Sequence, residues 1–183
     1  MKKKIALITG INGQDGAYLS ELLIKKNYSV HGILRRSANF KLGRLDYLNV
    51  IEKINFHHSE LNEFQNIQNL IKKIKPDVIY NLAAQSFVQY SFDNPFYTAD
   101  VNYHAVLNML ETIRRNKMDT KFYQASTSEM FGNTNVDKQN ENTNFYPASP
   151  YAISKVSSHF LIGHYRKAYD GFFCSGILFN HES

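Results

Sequence analysis

The feature that most constrains the fold is a regular alternation between short apolar runs and segments whose apolar residues recur at helical spacing. The apolar runs, which predict strands, lie at residues 4–9, 29–34, 54–57, 77–82, 120–126 and 172–179. The helical patterns lie between them, at residues 14–26, 63–74, 97–116 and 150–169. Strands that alternate with helices typically form a parallel sheet with helices on both faces. We therefore predict one α/β domain over residues 1–183, built on a doubly wound parallel sheet.

The turn after the first predicted strand contains three glycines. In "TGINGQDGAYL" they are Gly10, Gly13 and Gly16, and the first predicted helix follows directly. In a dinucleotide-binding turn the first glycine permits the tight bend, the second lets a pyrophosphate approach the backbone and the third allows close helix packing. A glycine turn without a ligand is the alternative. The position in an alternating chain favours a Rossmann-like dinucleotide site.

The end of the second predicted strand indicates which dinucleotide is bound. NAD sites tend to carry an acidic residue there for the ribose 2′-hydroxyl. This strand ends in "HGILRRSAN", which offers Arg35, Arg36 and the hydroxyl of Ser37 instead. Arginine recognises phosphate through planar, paired hydrogen bonds, so this segment predicts NADP. A solvated arginine pair is the alternative.

Composition limits the other partners. The net charge is +5, but the basic residues are dispersed along the chain, whereas nucleic-acid binders cluster them. No apolar run reaches membrane-spanning length, and the single cysteine, Cys174, cannot form an internal disulfide. We expect a cytoplasmic protein that binds neither nucleic acid nor membrane.

A tyrosine and a lysine at the start of the fourth helical pattern are candidate catalytic residues. Tyr151 and Lys155 share one helix face, near the carboxyl ends of the strands where ligands bind in open α/β sheets. The pKa of a free phenol is ~10. It must fall by about 3 units before the group can act as a base near neutrality. A lysine ammonium and an oxidised nicotinamide both favour the phenolate, and Lys155 can also hold the nicotinamide ribose. A chance pair is the alternative.

Several longer stretches resemble one known family. The chain resembles the extended short-chain dehydrogenases/reductases and, among them, the GDP-mannose 4,6-dehydratases. The matching stretches are "TGINGQDGAYL", "HGILRRSANF", "NLAAQSFVQYSFDNP", "YTADVN", "FYQASTSEMFG", "FYPASPYAISK" and "GILFNHES". The resemblance implies that an NADP cofactor contacts Gly10, Asn12, Gly13, Gln14, Asp15, Gly16, Arg35, Arg36, Ser37, Ala38, Glu60, Leu61, Leu82, Ala83, Ala84, Gln85, Ser86, Tyr97, Lys155 and His181.

The same resemblance assigns the chemistry. It implies that Thr127, Glu129, Tyr151 and Lys155 are catalytic and that no metal takes part. Substrate contacts are implied for Ser86, Thr127, Ser128, Glu129, Tyr151 and Asn180. The implied reaction is NADP-dependent dehydration of GDP-mannose to GDP-4-keto-6-deoxymannose. A surface carboxylate at Glu129 and plain strand-end hydroxyls at Ser126 and Thr127 are the alternatives.

Some features depart from the family. An Asp-Leu pair is replaced by Glu60-Leu61, and Phe87 stands where a histidine is usual. The family also continues into a smaller nucleotide-sugar-binding domain, which we expect to be absent from this chain. The open alternatives are a GDP-manno-heptose dehydratase, a nucleotide-sugar epimerase, and an NADP-binding fragment or module without turnover. The family further implies a homo-oligomer in which the loop at residues 35–45 reaches a neighbouring subunit.

Overall fold

The computed structural model describes residues 2–37 and 42–182. Within them, six strands form one parallel sheet in the order β3-β2-β1-β4-β5-β6. The strands are β1 (Ile5–Thr9), β2 (Ser29–Leu34), β3 (Ile54–His58), β4 (Val78–Asn81), β5 (Lys121–Thr127) and β6 (Phe173–Leu178). This is the strand order of the doubly wound Rossmann fold, so the predicted fold class is confirmed.

Helices connect the strands. They are α1 (Gln14–Lys25), α2 (Gly43–Tyr47), α3 (Phe64–Ile74), α4 (Val88–Asp93), α5 (Pro95–Ala99), α6 (Ala105–Arg115) and α7 (Pro150–Tyr169). The predicted helix at residues 97–116 is a longer, composite one, since a π-helical segment, Asp100–His104, joins α5 to α6. The short helices α2 and α4 were not predicted, because about five residues are too few to show helical periodicity. Among the described residues, no helix is long and apolar enough to cross a membrane.

The sheet has a separate hydrophobic core on each face. Successive side chains of a strand point to opposite faces, and β1 shows this directly. Leu7 joins a cluster with residues of α3, α6 and α7, whereas Ala6 and Ile8 join a cluster with residues of α1 and α2. All three side chains are fully buried. The sheet is therefore covered on both sides, and its free carboxyl edge is the place where a ligand can bind.

The strand order reverses between β1 and β4. From β1 the chain continues to β2 on one side, whereas from β4 it continues to β5 on the other. The loops after these two strands therefore diverge and leave a crevice at the carboxyl edge, which is the usual ligand position in open α/β sheets.

Candidate functional site

The turn between β1 and α1 requires glycine at two positions. Gly10 adopts φ +67°, in the left-handed region that glycine favours. A Cβ on Gly16 would lie 2.4 Å from the Gly10 carbonyl oxygen and 2.7 Å from Ile11 Cα, both of which are backbone atoms. Gly13 precedes the first residue of α1, and its N–H donates to the Gly10 carbonyl at 2.9 Å. The turn is thus compact and directs the amino end of α1 toward the crevice.

Two adjoining cavities occupy the crevice. The first, of about 650 Å³, is lined by twelve of the residues predicted for the cofactor: Gly10, Asn12, Gly13, Arg35, Glu60, Leu61, Leu82, Ala83, Ala84, Gln85, Ser86 and Tyr97. The second, of about 770 Å³, shares Gly10, Gly13 and Leu82 with it. It adds the remaining glycine-turn residues and the segment after β6: Gln14, Asp15, Gly16, Asn180 and His181. We call these two cavities together the cleft.

The arginines at the end of β2 are exposed, and each faces a carboxylate. Arg35 lines the cleft, and its Nε lies 3.7 Å from Glu60 Oε1. Arg36 donates from its NH1 to Glu63 Oε1 at 2.6 Å. Hydrogen bonds from Ser59 and Asn66 hold Glu63 and lower the pKa of its carboxyl group. Glu63 was missed by sequence reasoning, since nothing local marks it as a partner of Arg36.

The segment that follows the two arginines is described only in part. Ser37 is exposed beside the two arginines. Ala38 lies outside the described residues, together with residues 39–41 of the loop that is predicted to reach a neighbouring subunit.

Helix α7 begins where the motif predicts. The Ser149 side chain accepts a hydrogen bond from the Ala152 N–H at 3.0 Å, and Pro150 occupies the first turn, so the start of the helix is well capped. Tyr151 and Lys155 are both buried, and Lys155 Nζ lies 5.9 Å from the centre of the Tyr151 ring. The two side chains therefore lie on one helix face, as their spacing predicts.

The end of β5 brings the other predicted catalytic residues to Tyr151. Thr127 is the last residue of β5, and its Oγ1 accepts a hydrogen bond from the Glu129 N–H at 3.2 Å. This contact caps the single 3-10 turn Ser128–Met130. The Thr127 hydroxyl and the Glu129 carboxylate both lie close enough to the Tyr151 phenol to shift its pKa.

The chain by itself does not give Tyr151 the lowered pKa that a base near neutrality needs. Burial raises the pKa of Tyr151, the Thr127 hydrogen bond lowers it and the Glu129 charge raises it, with a net increase above the ordinary value. Burial also lowers the pKa of Lys155 to about 8, which reduces its positive charge near neutrality. In the chain by itself Lys155 does not bring the pKa of Tyr151 below its ordinary value, and the lowering expected from the lysine together with an oxidised nicotinamide stays a prediction. A phenolate at Tyr151 needs a further positive charge beside it.

A buried asparagine that sequence reasoning missed connects the cleft to α7. Asn102 lies in the π-helical segment and is 2% exposed. Its Oδ1 accepts from the Gln85 N–H at 2.9 Å, and its Nδ2 donates to the Gln85 carbonyl at 3.0 Å and to Ser154 Oγ at 3.2 Å. Single π-helical turns frequently occur at functional sites. A polar residue on the buried face of an amphipathic helix, in "YTADVN", was the signal available.

The segment after β6 folds back onto the first turn of α1. His181 Nε2 lies 2.8 Å from Asp15 Oδ1, and the Gln14 side-chain amide donates to the His181 carbonyl at 3.1 Å. The Asp15 hydrogen bond raises the pKa of His181. The fold thus brings all three predicted residues, Gln14, Asp15 and His181, to the cleft beside the glycine turn.

The chain is similar to known proteins over its whole length. It is 48% identical to the GDP-mannose 4,6-dehydratase of Yersinia enterocolitica, covering 100% of this chain and 50% of that protein. It is also 48% identical to GDP-mannose 4,6 dehydratase 1 of Arabidopsis thaliana, with 99% and 53% covered. The chain thus spans about half the length of the curated relatives that it matches.

A solved structure and a family profile complete the comparison. The UDP-glucose 4-epimerase of Thermus thermophilus, solved in complex with NAD, superposes with a TM-score of 0.80 at 25% identity, covering 93% of this chain and 53% of that one. Residues 7–183 match the profile of the family described as GDP-mannose 4,6 dehydratase. With the glycine turn, the cleft and the Thr127-Glu129-Tyr151 group at one sheet edge, the chain belongs to the GDP-mannose 4,6-dehydratase family.

Proposed function

We propose that the protein carries out NADP-dependent dehydration of GDP-mannose to GDP-4-keto-6-deoxymannose. The observation that supports this most is the convergence of a carboxylate, a hydroxyl and a phenol at one point. Thr127 ends β5 and Glu129 lies in the turn directly after it, and both shift the pKa of the Tyr151 side chain. A reaction that moves one proton at a sugar hydroxyl and another at a neighbouring carbon needs two such groups within reach of one sugar.

The cleft suits a dinucleotide. The pyrophosphate would lie against the backbone at Gly10 and Gly13, where no side chain intervenes and the amino end of α1 contributes a positive dipole. The adenosine part would lie by Glu60 and Leu61, and the nicotinamide part by residues 82–86. The Thermus thermophilus epimerase, which has a similar fold, was solved in complex with NAD.

Each protein group has a definite task in this reaction. A bound nicotinamide dinucleotide would supply reversible hydride storage, taking hydride from C4 of the sugar and returning it to C6. Tyr151 takes the proton of the C4 hydroxyl, and Thr127 orients that hydroxyl through its own hydrogen bond. Glu129 then removes the C5 proton, which the new C4 ketone makes acidic, and passes a proton to the departing C6 hydroxyl. Water is released, and Tyr151 returns the proton of the C4 hydroxyl to C5 as C6 is reduced, so no net oxidation of the sugar nucleotide occurs.

We further propose NADP as the dinucleotide. Arg35 lines the cleft at the end of β2, where the ribose 2′-substituent lies in this fold. The described residues offer no carboxylate from β2 itself at that point. Glu60 and Glu63 come from beyond β3 and pair with the arginines, so a 2′-phosphate would compete with two carboxylates for the guanidinium groups. We also propose a homo-oligomer in the cytoplasm, on the family resemblance.

Water loss from GDP-mannose tests the proposal. Purified protein is incubated with NADP⁺ and GDP-mannose, and the 4-keto-6-deoxy product is followed by mass spectrometry as a loss of one water. Glu129→Gln keeps the shape of the side chain but removes its base. It should lower turnover by about 10²–10⁴-fold, the usual contribution of a general acid–base group.

The control and the contrary outcomes are distinct. Glu141→Gln changes an exposed carboxylate in the loop before α7 and should leave turnover unchanged. Epimerised GDP-hexose without water loss would instead indicate an epimerase. Binding of NADP⁺ with no product from any GDP-sugar would indicate a binding module.

A further inference from the structure

A row of buried polar side chains crosses the three central strands of the sheet. Thr9, Asn81 and Gln124 are register partners on β1, β4 and β5, and none is more than 1% exposed. The Thr9 hydroxyl donates to Asn81 Oδ1 at 2.7 Å, and Asn81 Nδ2 donates to Gln124 Oε1 at 2.7 Å. Two amides in a sheet interior are costly unless their polar atoms have partners. Among the described residues no buried side-chain polar atom lacks one.

The row ends at the carbonyl oxygen of Ala125. Gln124 Nε2 donates to that oxygen at 2.9 Å, and Lys155 Nζ donates to the same oxygen at 2.8 Å. A carbonyl oxygen has two lone pairs, so these two donors use both. Lys155 is 3% exposed, and among the described residues no carboxylate forms an ion pair with it. The Ala125 carbonyl is therefore the group that holds the buried ammonium.

The direction of the row follows from its last acceptor. A carbonyl cannot donate, so Gln124 must present its NH₂ group to Ala125 and its oxygen to Asn81. Asn81 must then present its own NH₂ group to Gln124 and its oxygen to Thr9. The orientation of both amides is thus fixed by chemistry as well as by position. The two amides and the Ala125 carbonyl thus form a continuous row of hydrogen bonds that ends at Lys155.

Among the described residues no charged neighbour shifts the pKa of Lys155. Titratable side chains on α7 and on the elements that pack against it include Tyr97, Tyr123, Glu129, Tyr151, His159 and Cys174. Burial is the cause that lowers the pKa of Lys155, and none of these side chains contributes. The charge state of the lysine therefore depends on its burial and on the quality of its one hydrogen bond.

We propose that Gln124, held by Asn81, is a positioning residue for Lys155. Its amide competes with the ammonium for the Ala125 carbonyl and so limits the one hydrogen bond that holds the positive charge beside Tyr151. The inference rests on the proposed catalytic role of Lys155. The role is indirect, because the Gln124 side chain lies inside the sheet and its described contacts are with Asn81 and Ala125.

Direct titration of Lys155 tests the inference. The protein is labelled with ¹³C at the lysine ε-carbon, the signal of Lys155 is assigned with Lys155→Met, and its midpoint is measured by NMR. The wild-type midpoint is expected at about 8. Gln124→Met has similar length but no donor, so the carbonyl is left to the ammonium alone. The stronger hydrogen bond favours the charged form, and the midpoint should rise by about 1 pH unit.

Two further variants separate positioning from mere packing. Gln124→Met leaves the Asn81 amide without its acceptor, which alone destabilises the sheet. The double variant Asn81→Leu/Gln124→Met removes both amides and leaves only the Thr9 hydroxyl, a single and freely rotating donor, without its acceptor. A positioning role predicts the raised midpoint in both variants, whereas a packing role predicts a wild-type midpoint in the double variant. Gln68→Met breaks another side-chain amide pair, Gln68–Asn108, between α3 and α6, and should leave the midpoint unchanged.

The outcomes are decisive whatever the substrate. A midpoint within about 0.2 pH unit of wild type in the double variant, or a lower one, would overturn the inference. The titration uses no sugar nucleotide, so a failure of the proposed dehydration leaves it interpretable. A raised midpoint in a protein that never dehydrates GDP-mannose would support the positioning of Lys155 and contradict only the proposed function.

Discussion

The His181 side chain lies 2.8 Å from the Asp15 carboxylate, Nε2 to Oδ1, although 166 positions separate them in the sequence. The contact joins the segment after β6 to the first turn of α1, and both residues line the same cavity beside the glycine turn. Both side chains remain partly exposed, so solvent weakens the pair. The contact therefore orders a wall of the cleft more than it stabilises the fold.

This pair predicts a pH dependence with a definite sign. The Asp15 hydrogen bond raises the pKa of His181 in the folded chain above its ordinary 6.5. The stabilisation that this pair contributes is therefore fully present below about pH 6.5. It is lost as the pH rises through the higher pKa of the folded state. An NMR titration of the His181 ring should give a midpoint above 6.5, and Asp15→Asn should lower it. Asp93→Asn, an exposed carboxylate on α4, serves as the control. An unchanged midpoint in Asp15→Asn would contradict the pairing.

Two glycines on helices should respond in opposite ways to alanine. In Gly16→Ala the added Cβ meets backbone atoms of Gly10 and Ile11 at 2.4–2.8 Å, so the turn must move. Overpacking of this kind costs about 1–3 kcal/mol, and we expect dinucleotide affinity to fall as well. Gly163, in α7, has no heavy atom within 4 Å of an added Cβ, so Gly163→Ala should stabilise the helix by about 0.5–1 kcal/mol.

Thermal unfolding of both variants, with titration of NADP⁺ into each, measures the two effects. A Gly16→Ala protein as stable as wild type and with full affinity would mean that the turn is not packed as described. A destabilised Gly163→Ala protein would mean that this face of α7 is covered in solution.

The arginines at the end of β2 predict a preference between cofactors. Arg35 lines the cleft and is held only loosely by Glu60, at 3.7 Å, so it is available to a 2′-phosphate. Arg35→Ala should weaken NADP⁺ binding by about tenfold, or about 1.4 kcal/mol, and leave NAD⁺ binding nearly unchanged. Calorimetric titration with both dinucleotides measures the difference. Arg115→Ala, an exposed arginine on α6, is the matched control. Equal losses for both dinucleotides would contradict recognition of the 2′-phosphate.

The sequence predicted those features of the structure that depend on residues close together in the chain. The alternation of strands and helices and the positions of Gly10, Tyr151 and Lys155 followed from periodicity and from motif spacing, because each depends on neighbours in the chain. Glu63, Asn102 and Gln124 were not predicted as parts of the site. Their partners lie in other segments of the chain, at separations of 17 positions for Gln85–Asn102 and 43 for Asn81–Gln124. Such contacts appear only when the topology brings the elements together.

The acidity of Tyr151 gives the last prediction. Burial and Glu129 raise the pKa of this phenol, and among the described residues no positive charge lowers it. An oxidised nicotinamide carries a positive charge and a reduced one does not, so NADP⁺ should lower the pKa of Tyr151 and NADPH should not. The titration is followed by NMR of ¹³C-labelled tyrosine, with the signal assigned by Tyr151→Phe. That variant should lose about 10²–10⁴-fold in turnover of GDP-mannose.

Tyr165, near the other end of α7, provides the matched comparison. Its hydroxyl donates to Glu111 at 2.6 Å, and burial together with this bond raises its pKa. Because it lies away from the cleft, its titration should be the same with either form of the dinucleotide, and Tyr165→Phe should keep wild-type turnover. If NADP⁺ and NADPH shift Tyr151 equally, the nicotinamide charge does not act on this phenol. The tyrosine would then have to lose its proton by another route, and its assignment as the base would fail.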